Sequence, residues 1–75
     1  MELKKFVENL AAVYDEADPA TVTPQIKFRD IEGYSSLVAL SIIAMVDEEY
    51  NVKLKGDDIR KANTVEDLFN IVNSK

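Results

Sequence analysis

Residues 15–35 hold both prolines of this chain and one of its two glycines, and they separate two stretches of helical periodicity. Unstructured connections of that length are uncommon in a small domain unless they pack or act. Val22, Ile26, Phe28 and Ile31 give this one apolar anchors, so it reads as an ordered crossing over helices. Upstream, Leu3, Phe6, Val7, Leu10, Val13 and Tyr14 recur at helical spacing. That helix should stop before Pro19, because the proline biases Asp18 away from helix. Downstream, a second helix is expected from Ser36 to about Tyr50. Ser35 is its N-cap, and Leu37, Leu40, Ile43, Ala44 and Tyr50 form its core-facing stripe. Asn51 tolerates the left-handed conformation and can end it. A short helical turn around Asp57–Lys61 should point Ile59 inward. In the last helix Thr64 caps, Glu66 and Asp67 face the positive end of the dipole, and Val65, Leu68, Phe69 and Val72 supply the apolar face. No alternating pattern competes. Residues 1–75 therefore read as a single all-α domain, a small four-helix bundle of three main helices and one short one, with a long first loop.

Composition narrows the function. The chain is 47% hydrophobic and 31% charged, the balance of a foldable domain and not of a disordered tract. It has neither Cys nor His, which removes disulfides, thiolate or imidazole metal sites, cysteine nucleophiles and any Ser–His relay. Only carboxylates remain as metal ligands, and no Asp-rich loop has calcium-binding spacing. An enzyme is not expected. The net charge of −5 argues against nucleic acid, whose phosphates need a basic face, and suits positively charged partners. The longest uncharged stretch, Gly33 to Val46, is 14 residues with three serines, too short to cross a bilayer. The N-terminal Met1-Glu2-Leu3-Lys4-Lys5 lacks the apolar run of a signal peptide, so a cytoplasmic location is expected.

The informative stretch is Phe28-Arg29-Asp30-Ile31-Glu32-Gly33-Tyr34-Ser35-Ser36-Leu37. A serine in the first turn of a helix sits among unpaired N–H groups at the positive end of the dipole, a field that favours an attached phosphate. Ser36 has no evident base beside it, so it is a poor nucleophile but a reasonable acceptor of a phosphate-linked group. On spacing alone, the simpler reading is preferred: Ser35 and Ser36 are two capping residues.

The chain resembles the acyl carrier protein family. That family opens its second helix with Asp-Ser-Leu, and Ser35-Ser36-Leu37 occupies the motif here. The similarity continues through Val46-Asp47-Glu48-Glu49-Tyr50, Val52-Lys53-Leu54, Asp57-Asp58-Ile59 and Thr64-Val65-Glu66-Asp67-Leu68. The resemblance implies covalent 4′-phosphopantetheine, derived from coenzyme A, on Ser36, with Ser35 and Leu37 as motif neighbours. It further implies an acyl cargo held as a thioester and presented to the enzymes of fatty-acid or related biosynthesis. The partners so implied are a phosphopantetheinyl transferase and acyl-loading and acyl-processing enzymes, with the carrier itself expected to be a monomer. The chain departs from the family in two places. Ser35 replaces the acid, and Asp30-Ile31-Glu32-Gly33-Tyr34 is one residue longer than the usual approach, which is similar to that of specialised stand-alone carriers. Tyr34 is placed to touch the arm.

Val38, Ile42 and Met45 form a second apolar line on the second helix. They read either as a sign that this helix is buried on more than one side, or as a face for partners with basic or apolar docking surfaces, with Asp47, Glu48 and Glu49 as its acidic end. Two further readings stay open: an aminoacyl (D-alanyl-type) carrier, and an unmodified helical interaction domain with the same fold.

Overall fold

A computed structural model describes residues 2–75. Four α-helices follow in order: α1 (Leu3–Ala11), α2 (Ser36–Tyr50), α3 (Gly56–Lys61) and α4 (Val65–Asn73). Among the described residues there is no strand, only an isolated bridge between Lys27 and Thr64. The all-α bundle with a long first connection is the architecture observed.

The helix ends follow local chemistry. Ser35 Oγ accepts from the Val38 N–H at 3.3 Å, and Asn51 closes α2 in the left-handed region at φ 56°. At α4, Thr64 Oγ1 accepts from the Asp67 N–H while Asp67 Oδ2 accepts from the Thr64 and Asn63 N–H groups, a reciprocal capping box. Those backbone donors hold the Asp67 carboxyl below its ordinary range. Asp58 Oδ2 accepts from the Lys55 N–H at the start of α3, and its carboxyl is likewise lowered.

One core joins the elements. Phe6 and Leu10 of α1, Ile42 and Val46 of α2, Ile59 of α3, and Val65, Leu68 and Val72 of α4 are buried in it. The first connection contributes Val22, Phe28 and Ile31, with Ile26 half-buried beside them. Its crossing is stitched down: the Tyr14 hydroxyl donates to the Phe28 carbonyl at 2.7 Å, the Val65 N–H to the Ile26 carbonyl at 3.0 Å, and the Glu66 N–H to the Pro24 carbonyl at 2.8 Å. Phe6 stacks edge-on against Phe69 and tilts against Tyr50.

As expected, α1 stops before Pro19; regular helix ends at Ala11, and the chain continues through a turn that brings Tyr14 back to Phe28. One expectation is corrected: the core-facing stripe of α2 is not the one the periodicity pointed to. Leu37 is 72% exposed, Leu40 is 63% exposed and Ala44 is exposed, whereas Ile42 and Val46 are fully buried and Val38, Ile43, Met45 and Tyr50 half-buried. Because α2 is apolar on nearly every side, its periodicity offers two stripes. The packing of α1 and the first loop decides between them.

Candidate functional site

Ser36 is the first residue of α2, and the loop before it sets where its side chain emerges. Gly33 adopts φ +91°, a conformation that a side chain disfavours. A Cβ there would also come within 3.2 Å of the Glu16 carboxylate. The reversal at Gly33 is closed by the Tyr34 N–H donating to the Ile31 carbonyl, and it sends the chain into an extended Ser35. Tyr34 packs its ring edge-on against buried Phe28 at 6.0 Å, which anchors the approach to the core.

The first turn of α2 holds no acidic residue, so no carboxylate of the helix itself offsets the positive end of the dipole there. Ser35 uses its hydroxyl as the cap, whereas Ser36 is exposed and its hydroxyl makes no hydrogen bond among the described residues. The two serines are thus distinguished by geometry. One oxygen serves the helix, and the other faces outward beside first-turn N–H groups that lack an intrahelical partner.

A cleft of about 390 Å³ opens beside Ser36. Tyr34 and Ser36 lie at its mouth; Ala39, Leu40 and Ile43 of α2 form one wall, and Gly56, Ile59 and Arg60 of α3 the other. Its volume falls in the range of small-ligand sites, and most of its lining is apolar. Arg60 is the charged residue on the lining, and its guanidinium pairs with Asp57. The exposed Ser36 hydroxyl, the dipole and an apolar cleft fit an arm attached through phosphate whose distal part carries an apolar group. A second groove, about 460 Å³, runs between α1 and the first loop, lined by Leu3, Val7, Ala11, Pro19, Val22 and Pro24 among others. It shares no residue with the cleft at Ser36.

The remaining candidates divide. Leu37 projects from the outer face of α2, beside Ser36. Of the line Val38, Ile42 and Met45, Ile42 is fully buried and the other two pack half-buried against the core, so this line faces inward and Ile42 is out of reach of any partner. Asp47 pairs with Lys53 at 2.8 Å, while Glu48 and Glu49 are exposed. These acids stand about 17–20 Å along the helix from Ser36. Among the described residues, no group of His, Cys, Asp or Glu could hold a metal, and no helix is long and apolar enough to cross a membrane. The lining residues that periodicity did not single out are Ala39, Gly56 and Arg60, and the last two face α2 across the cleft only once α3 is folded back.

Known proteins extend this picture. The sequence model of the family described as "Phosphopantetheine attachment site" matches residues 4–72. The chain is 27% identical over 74 residues to an acyl carrier protein of Thermosynechococcus vestitus, covering 99% of this chain and 91% of that protein.

Proposed function

From the premise that this chain belongs to the phosphopantetheine-attachment family of carrier proteins, we propose that it is an acyl carrier whose 4′-phosphopantetheine is attached at Ser36. The thiol of that group supplies the thioester bond that holds the cargo. The observation that carries the reading is the pairing of an exposed Ser36 hydroxyl at the start of α2 with an apolar cleft at its side.

The chain's own residues divide the work. Ser36 offers the acceptor oxygen, and the open end of α2 stabilises the phosphate made there. Ala39, Leu40, Ile43 and Ile59 keep water from an apolar cargo. The chain catalyses nothing; a phosphopantetheinyl transferase modifies it, and acyl-loading and acyl-processing enzymes of fatty-acid or related biosynthesis use it. Those enzymes dock on the outer face of α2, where Leu37 and Leu40 are exposed, with Glu48 and Glu49 toward its far end. The apolar lining of the cleft favours an acyl over an aminoacyl cargo.

The test is intact mass after incubation with a broad-specificity transferase and coenzyme A. One phosphopantetheinyl group is expected on the native chain and on Ser35→Ala, and none on Ser36→Ala, with helical circular dichroism unchanged in the latter. An adduct that survives Ser36→Ala sinks the assignment. An unmodified native chain favours a helical interaction domain.

A further inference from the structure

The far wall of the cleft is a short helix whose first turn is tied to the C-terminal segment by a Lys75–Asp58 ion pair at 3.3 Å. α3 has six residues, and helices that short are marginal on their own. It packs on α4 and touches α2 at most slightly. Its inward anchors are Ile59 and, just past its end, Ala62. Yet Gly56, Ile59 and Arg60 must stay in place if the cleft is to have two sides.

The first loop reaches across to hold the other end of α3. Arg29 Nη1 donates to the Ile59 carbonyl at 2.9 Å, and Nη2 donates both to the Ala62 carbonyl and to Asn63 Oδ1 at 3.1 Å. These carbonyls belong to the C-terminal turn of α3, where a helix presents its negative end, so a cation there adds to the hydrogen bonds. The same guanidinium lies 4.7 Å from the centre of the Phe28 ring, and that ring packs on Tyr34 at the mouth of the cleft. One side chain thus joins the α3 wall to the segment that delivers Ser36.

We propose that Arg29 is a positioning residue that holds α3 as the far wall of the cleft beside Ser36, and thereby controls how well the cleft shelters an apolar cargo. The sheltering part rests on the carrier reading; the holding part does not. A planar fork meets two carbonyls and an amide oxygen at once. The single ammonium of lysine restores the charge without that geometry.

Amide hydrogen exchange on the unmodified protein tests the hold directly. In Arg29→Gln, the Ile59 and Ala62 amides should exchange at least about tenfold faster than in the native chain, while Leu68 and Val72 of α4 change far less. Arg29→Lys should fall between. Unchanged α3 exchange in Arg29→Gln overturns the proposal, as does equal acceleration in α3 and α4, which is ordinary destabilisation. The second measurement is hydroxylamine cleavage of octanoyl and acetyl thioesters on the modified protein. Arg29→Gln should speed octanoyl cleavage toward the acetyl rate and leave the acetyl rate alone. Val72→Ala, which weakens the core without touching the cleft, should not be selective for chain length. Loosened α3 with no change in octanoyl cleavage overturns the claim on the cleft. If the native chain accepts no phosphopantetheine, the carrier reading fails, and the exchange data still decide whether Arg29 holds the wall.

Discussion

Ser35 and Ser36 are adjacent and chemically identical, and their backbone places separate them. Ser35 lies just outside the helix in an extended conformation and its oxygen accepts from the Val38 N–H; Ser36 lies one step inside, exposed, with no hydrogen bond to its oxygen among the described residues. The family motif has an acid where Ser35 stands. Both Ser and Asp cap well, so Ser35→Asp should move stability by only a few tenths of a kcal/mol, with a slight gain from the dipole. Transfer of phosphopantetheine should respond more. A new carboxylate facing a cationic transferase surface forms a charge-assisted contact of about 1.5–3 kcal/mol, or roughly one to two decades in rate if it is fully expressed in the transition state. Second-order transfer rates at low and moderate salt check this, because the gain should shrink as salt screens the new charge. Equal rates for both proteins at both salt levels would mean that recognition does not use this position.

At the scale of elements, the first connection behaves as part of the core. Tyr14 is buried and its hydroxyl donates to the Phe28 carbonyl, the residue on which both Tyr34 and Arg29 rest. Tyr14→Phe leaves that carbonyl without its donor and should cost about 1–3 kcal/mol. It should also remove a pH dependence. Burial, and secondarily neighbouring Tyr34, push the Tyr14 phenol well above its ordinary pKa. Below about pH 10 the phenol is protonated in both folded and unfolded chains, and its contribution is complete. Above that, the unfolded chain releases the proton and the folded one retains it, so stability falls as pH rises. Urea midpoints between pH 8 and 11 should decline more steeply for the native chain than for Tyr14→Phe. Parallel declines would show that Tyr14 is not the group responsible. The same element shows what sequence could and could not reveal. The bounds of α2, the cap at Ser35, the left-handed Asn51 and the capping residue Thr64 each follow from local chemistry and stand where the sequence puts them. Just past the early end of α1, Tyr14 meets Phe28, a contact between residues in different segments, and periodicity is blind to it. The orientation of α2 was illegible for a related reason. With apolar residues all round, only the neighbours determine that Ile42 goes in and Leu40 stays out.

At the scale of the molecule, a 75-residue chain buries only about 60% of the surface its unfolded form exposes, so its stability is modest and sensitive to whatever the folded state binds. The cleft beside Ser36 leaves apolar wall area in water, at Leu40 most of all, which is 63% exposed. A tethered acyl chain that covers this wall gains up to about 0.8 kcal/mol for each methylene buried, less the entropy of ordering the chain. The unfolded protein offers no such surface, so the gain appears as stability. Relative to the unacylated phosphopantetheinylated form, an acetyl group should leave Tm nearly unchanged. Hexanoyl and octanoyl groups should raise it progressively, by about 4–8 °C for each kcal/mol of net gain in a domain this size. Ala39 provides the control, because it lies on the wall and is half-buried in α2. Leu is nearly as good a helix former as Ala, so Ala39→Leu should fold, fill the cleft with its own side chain, and flatten the dependence of Tm on acyl length. Calorimetry on the four forms of each protein checks the expectation. A native chain whose Tm is indifferent to acyl length, or an Ala39→Leu variant with the same slope as the native chain, would place the cargo outside this cleft and favour the aminoacyl reading.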